Sequence, residues 1–165
     1  MDKKLKLEIL DILEENAKTT AAEMSYMLNV DAGTIEKAIA EMEQEKAIVR
    51  YSALVNRDII DEEDEAEALI EVEVTPQRDY GYDDMAKRIY RFEEVRSVYL
   101  MAGNYDLCVR IKSRSMKEIS KFVFEKLAVI DGVTRTVTVF IMRKYKEQGV
   151  ILVGDETDER LVVTP

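Results

Sequence analysis

Histidine is absent from the 165 residues of this chain, and cysteine occurs once, at Cys108. Without histidine the usual zinc sets and Cys/His nucleophile arrangements cannot be built, and a lone thiol excludes an intramolecular disulfide. Cys108 is expected to be a small core or sheet-face residue. No apolar run approaches the roughly 20 residues needed to cross a bilayer, although apolar residues make up 47% of the chain and supply ample material for a core. No glycine loop suited to phosphate is present, and no pair of carboxylates is spaced so as to single itself out for acid–base work. Neither a metal nor a cofactor is expected. The start, MDKKLKLEILDILEEN, mixes acids into its apolar pattern, unlike the uninterrupted hydrophobic region of a signal peptide. A cytoplasmic protein with no membrane partner is the expectation.

Positive charge is also scarce: 24 Lys and Arg stand against 34 Asp and Glu, a net charge of -10. Binders of polyanions are usually basic, so any contact with nucleic acid has to be local. Residues 1–60 carry 8 basic and 12 acidic side chains, 8 − 12 = −4. The stretch TIEKAIAEMEQEKAIVRY, Thr34 to Tyr51, has a helical apolar rhythm, but Glu36, Glu41, Glu43 and Glu45 give it an acidic solvent side.

What is present is strongly patterned. Asp2 can cap a helix from about Lys3 to Asn16, with Leu5, Ile9, Ile12 and Leu13 at helical spacing. Thr20 with Glu23 forms a capping box for a second helix to Leu28, with Met24, Met27 and Leu28 inward. After the short turn at Asn29, Asp31 can cap a third helix with Ile35, Ile39 and Met42 inward. Two helices joined so tightly make a helix-turn-helix. Ile48–Asn56 suits a strand, and DIIDEEDEAEA then reads as an acidic linker, which puts a domain boundary near residue 60.

Beyond it, Ala66, Ala68, Ile70, Val72 and Val74 occupy one face of a half-buried strand, and Glu67, Glu71 and Glu73 the other. A helix from about Tyr82 to Glu93 follows. Val95–Ala102 and Asp106–Ser113 form a hairpin around GNY. Ser115 can cap a helix with Met116, Ile119, Val123, Leu127 and Ile130 inward, which Gly132 ends before the strand Val133–Tyr145. The order βαββαβ predicts an α+β, ferredoxin-like sandwich with both helices on one face of a four-stranded antiparallel sheet. The bare face, expected to alternate Val, Thr, Tyr and Met, predicts a homodimer. The tail, residues 149–165, offers two apolar runs, VILV and LVV, as an edge strand or an arm to a partner.

This arrangement resembles the feast/famine regulators, the Lrp/AsnC family, over about Lys4 to Val153. LEILDILEENAKTTAAEMSYMLNVDAGTIEKAIAEMEQEKAIVRYSALVN is similar to the family's helix-turn-helix, with Ile48 and Tyr51 at matching places; MAGNYDLCVRI and GVTRTVTVFI resemble its most characteristic C-terminal stretches. The resemblance implies a winged-type helix-turn-helix domain at 1–60 and a RAM-type effector-binding and oligomerisation domain at 61–165. It implies a sequence-specific transcriptional regulator of double-stranded DNA that responds to a small molecule, an amino acid, at interfaces between C-terminal domains. A homodimer is implied, with assembly to a tetramer or octamer beyond it. The family's usual Arg and Gly are replaced by Ala38 and Lys46.

The remaining DNA-facing candidates are Thr34 and Lys37 early in the third helix, Arg50 after it and Thr20 at the N-terminus of the second. For the effector, Gly103 lets the backbone turn tightly, backbone N–H groups of Asn104, Tyr105 and Asp106 can hold a carboxylate, and the Asp106 carboxylate can meet an ammonium group. AGNYD reads equally as a plain hairpin turn. Thr134, Thr136 and Thr138 offer hydroxyls on one strand face. An effector-binding or assembly protein of this fold that has lost DNA binding is the alternative. Sirohaem decarboxylases look like the same two-domain arrangement, but rely on His, which this chain lacks.

Overall fold

The computed structural model describes residues 2–59, 65–75 and 81–153. The packing divides the chain between Val55 and Asn56 into two compact units, each with its own core.

Three capped helices make the first unit. In α1 (Lys3–Glu15) the Asp2 carboxylate accepts from the Lys4 N–H at 3.1 Å. In α2 (Ala21–Leu28) the capping box is complete: the Thr20 N–H donates to Glu23 Oε2 at 2.7 Å, and the Glu23 N–H to Thr20 Oγ1 at 3.3 Å. The turn leaves α2 through Asn29, whose φ of 53° is a left-handed conformation that a short polar side chain tolerates. Asp31 then caps α3 (Ala32–Gln44), accepting from the Thr34 N–H at 3.1 Å. Ile9, Met24, Ile35, Ala38 and Met42 close the core, with Ile39 partly buried beside them. Just past α3, Lys46 sits at φ 62°, where glycine is the favoured residue.

The expected strand Ile48–Asn56 is not formed. A strand needs a neighbour for its N–H and C=O groups, and none runs beside this one among the described residues. Val49, Tyr51, Leu54 and Val55 are exposed instead.

The second unit has the order β1 (Ala66–Val74), α4 (Tyr82–Tyr90), β2 (Val95–Leu100), β3 (Leu107–Ser113), α5 (Met116–Phe122, continued by a π turn over Val123–Leu127) and β4 (Val133–Phe140). The sheet is antiparallel in the order β2-β3-β1-β4. This is the expected βαββαβ sandwich. Ala68, Ile70 and Val72 are buried with Leu107, Val109 and Ile111 against Met85 and Ile89 of α4 and Ile119, Phe122, Val123 and Leu127 of α5. Met116, expected inward, is exposed in the first turn beside the Ser115 cap, and Phe122 is buried with Ile119 instead. β4 stops at Phe140, and Lys146–Glu147 (β5) pairs instead with Val150–Ile151 (β6) in a small hairpin. The LVV run of the tail, at 161–163, and residues 60–64 of the acidic linker lie outside the described residues.

Gly132 joins layers. Its φ is 96°, its carbonyl accepts from the Thr75 N–H at 2.8 Å, and a Cβ there would lie 2.8 Å from Met85 Cε and 3.4 Å from the Thr75 carbonyl.

The helix-free face of the sheet differs from expectation. Thr136 and Thr138 lie across from Val72 and Ile70, on the helix-covered side, and the free side carries Val137, Val139, Leu69 and Tyr99 among charges. Of the β1 acids on this face, Glu67 and Glu73 are paired. Glu67, only 9% exposed, accepts from Arg110 and pairs with Lys144; Arg110 reaches on to Glu147 of β5 at 2.9 Å. Burial pushes the Glu67 carboxyl up, but its hydrogen bonds from Arg110 and Lys144 outweigh burial and hold it below the ordinary value of 4.5. Among the described residues no helix is long and apolar enough to cross a membrane.

Two predictions follow from this packing. Glu67→Gln should lower stability by about 1–3 kcal/mol, because it leaves two cations facing a neutral amide. Because the native carboxyl has a lowered pKa, its contribution is complete above pH 4.5 and fades as pH falls through the native value; urea melts of both proteins should therefore converge in acid. Lys46→Gly should raise the midpoint of the same melt by an amount equivalent to roughly 0.5 kcal/mol, the relief of a left-handed Lys less the added freedom of glycine in the unfolded chain.

Candidate nucleic-acid interface and ligand site

The outward surface of α3 follows from its core contacts. Ile35, Ala38 and Met42 point inward, so at about 100° per residue the opposite side is formed by Gly33, Lys37, Ala40 and Gln44. All four are exposed. Position 38, where the family resemblance suggests an arginine, faces the core, so Ala38 leaves no gap in this outward surface. The grouping of Gly33, Ala40 and Gln44 with Lys37 was missed in the sequence, although their helical spacing is its signal.

The acids that seemed to spoil the helix are mostly turned aside. Glu41 and Glu45 pair with Lys6 of α1 at 3.5 and 3.0 Å, and the Glu45 hydrogen bond raises the pKa of Lys6 above its ordinary value. Glu43 accepts from the Tyr51 phenol at 2.8 Å. Burial, then that bond, raises the phenol's pKa. Glu36 is exposed and, among the described residues, has neither an ion-pair nor a hydrogen-bond partner.

The four DNA-facing candidates have unequal freedom. Thr34 and Lys37 are exposed on the first turns of α3, and Arg50 is exposed beyond it. Thr20 is committed: its hydroxyl donates to Glu23 Oε2 at 2.8 Å, and its N–H holds the Glu23 carboxyl below the ordinary range. A carboxylate thus already occupies the N-terminus of α2.

In the second unit, Gly103, Asn104, Tyr105 and Asp106 are brought together between β2 and β3. Gly103 does not take a positive φ, so the turn does not require glycine; a Cβ there would meet nothing within 4 Å. The space is open on that side. The Asp106 N–H donates to the Val72 carbonyl at 3.1 Å, which leaves the N–H groups of Asn104 and Tyr105 as the loop's available donors. The Asp106 carboxylate is a structural tie: Oδ2 accepts from the Val74 N–H at 2.8 Å and Oδ1 from the Tyr82 phenol at 3.3 Å. Its charge raises the Tyr82 pKa. The tie stands at the β1 end where the pairing with β4 shifts register between Glu73 and Val74. Tyr105 hydrogen-bonds the Cys108 thiol, whose pKa burial pushes up. Thr134 donates to the Glu73 carbonyl at 3.1 Å. Thr136, half-buried on the covered side, is not drawn into the Gly103–Asp106 loop by any contact in the structure.

Comparisons with known proteins bear on both units. A family model described as winged helix-turn-helix DNA-binding matches residues 2–49, and one described as the Lrp/AsnC ligand binding domain matches residues 67–151. The chain is 42% identical over 158 residues to YugG of Bacillus subtilis, an uncharacterized HTH-type transcriptional regulator, covering 96% of this chain and 95% of that protein. Among solved structures, a transcriptional regulator of Neisseria meningitidis in complex with L-Met aligns with a TM-score of 0.69 at 23% identity, over 89% of this chain and 93% of that one. A feast or famine regulatory protein of M. tuberculosis complexed with L-methionine aligns at 0.69 and 17%, over 88% and 95%. At such identities these structures share the fold.

Asp106→Ala should cost about 1–3 kcal/mol in a denaturant melt, since the Val74 N–H loses its acceptor. Asp106→Asn keeps an acceptor oxygen and should recover most of that loss.

Proposed function

The chain belongs to the Lrp/AsnC family of HTH-type transcriptional regulators, DNA-binding proteins and not enzymes, and on that footing we propose that it binds operator DNA sequence-specifically under the control of an amino acid. In this reading residues 1–60 are the DNA-binding head, and residues 61–165 bind the effector and oligomerise in the cytoplasm. The observation that carries it is the internal pairing of Glu41, Glu43 and Glu45, which keeps those three acids from the outward side of α3.

α3 enters the major groove. Lys37 and Arg50 meet phosphates, Thr34 lies at the groove edge, and Thr20 approaches a phosphate only by exchanging with Glu23. So few cations give each head a weak grip and a modest salt slope. Assembly compensates, since each head gains effective concentration from its neighbours. Leu69, Tyr99, Val137 and Val139 form the apolar part of a homodimer face, and dimers assemble further to a tetramer or octamer. The effector's carboxylate is held by the N–H groups of Asn104 and Tyr105 in the open space beside Gly103; its ammonium lies near Asp106, which keeps its bonds to Val74 and Tyr82, and Thr134 lies at the adjoining strand edge, while Thr136, on the helix-covered side, stays out of the site. The two relatives solved with L-methionine support an amino acid as the ligand.

Titration against DNA from upstream of its own gene, at two salt concentrations and beside an unrelated duplex, tests this. Selective binding that weakens with salt is expected, and Lys37→Ala should reduce the salt slope by about one. A folded oligomer that binds neither duplex, yet binds an amino acid, would identify an effector-binding protein that has lost its DNA role.

A further inference from the structure

Glu36 differs from every other acid of α3. Glu41 and Glu45 are engaged by Lys6, and Glu43 by Tyr51, whereas Glu36 stands exposed without a partner among the described residues. Its place on the helix is specific. Gly33 and Ala40 lie at the middle of the outward surface, and at about 100° per residue Glu36 and Lys37 fall to either side of them. Two small residues at the centre let the helix backbone approach closely, which brings Glu36 on one flank within reach of the groove floor while Lys37 on the other meets phosphate.

A carboxylate accepts hydrogen bonds and donates none. Set against duplex DNA it is repelled by phosphates, and in the major groove it is repelled by the acceptors of guanine and by the O4 of thymine. The groove offers it two donors, the amino groups of cytosine and adenine, of which cytosine presents its donor without adjoining N7. From this geometry we propose that Glu36 is a specificity-determining residue that accepts a hydrogen bond from the N4 amino group of a cytosine in each half-site. The inference rests on the DNA-binding reading above and extends it to a named base pair. Lys37, with donors only, supplies the attraction on the other flank. Glu36 thus contributes discrimination, disfavouring sites that place an acceptor opposite it.

The test is selection from randomised duplexes by the full-length protein, wild type beside Glu36→Gln and Glu36→Ala. Both variants alter an exposed side chain that makes no ion pair or hydrogen bond among the described residues, so they should fold as the wild type does, which circular dichroism checks. The wild type should select cytosine at one position of each half-site by about tenfold over other bases. Glu36→Gln should shift that position to adenine, the base glutamine pairs with. Glu36→Ala should lose the preference there while binding unrelated duplexes more tightly. If both variants keep the wild-type preference at every position, the assignment of Glu36 is overturned and the regulator reading stands. A wild type that selects no sequence at all overturns that reading and this one with it.

Discussion

β1 is paired on both edges, and the second unit is organised by what that demands of its side chains. Ala68, Ile70 and Val72 can go under the helices only if Glu67, Glu71 and Glu73 point the other way. With strands on both sides, the outward carboxylates lie against neighbouring side chains, to differing depths. Glu67 is the extreme case, and burying a charge is costly unless it is matched. Arg110 from β3, Lys144 beyond β4 and, through Arg110, Glu147 of β5 are the match. The small C-terminal hairpin is thereby tied to the sheet by charge. Glu73 pairs with Arg135 at 2.8 Å in a more exposed place, where the match matters less.

The first unit resolves a similar conflict differently. Its acids are not buried; they are oriented. Lys6 of α1 draws two carboxylates of α3 toward the three-helix packing, and Tyr51 draws a third. Exposed pairs of this kind add little stability. Their consequence is directional, because a carboxylate held on the flank presents less negative charge to whatever approaches the outward surface. A net charge computed over the unit hides this, since it counts charges without asking where they point.

Most of the fold was legible because its signals are local. Asp2, Thr20, Asp31 and Ser115 announced four helix starts through caps that depend on neighbours within three residues. The alternation in β1 announced its two faces. The failures involve distant partners. Ile48–Asn56 has the composition of a strand, but composition does not supply a neighbour. The Thr row was misassigned to the free side because the face of β4 is set by its pairing with β1, where Thr136 and Thr138 fall opposite Val72 and Ile70, and no local pattern marks that pairing. Of the candidate sites, the cluster at Gly103–Asp106 could be seen in the sequence. The commitment of Asp106 to Val74 and Tyr82 could not, because those residues lie 32 and 24 positions away. Likewise Lys6 gives no sequence sign that it will meet Glu45, 39 residues on.

The unpaired stretch from Ile48 to Val55 has a further consequence for how the molecule would be taken apart. A protease needs a length of backbone it can draw into its own cleft as an extended strand, and backbone already held in a helix or ladder resists this. Ile48 is anchored, packed on the three-helix core with its N–H on the Met42 carbonyl, but from Val49 to Val55 the amide groups are outside any ladder and the side chains are exposed, while the buried cores on either side are complete without them. Brief digestion would therefore nick this stretch early and leave two fragments that each retain a closed interior.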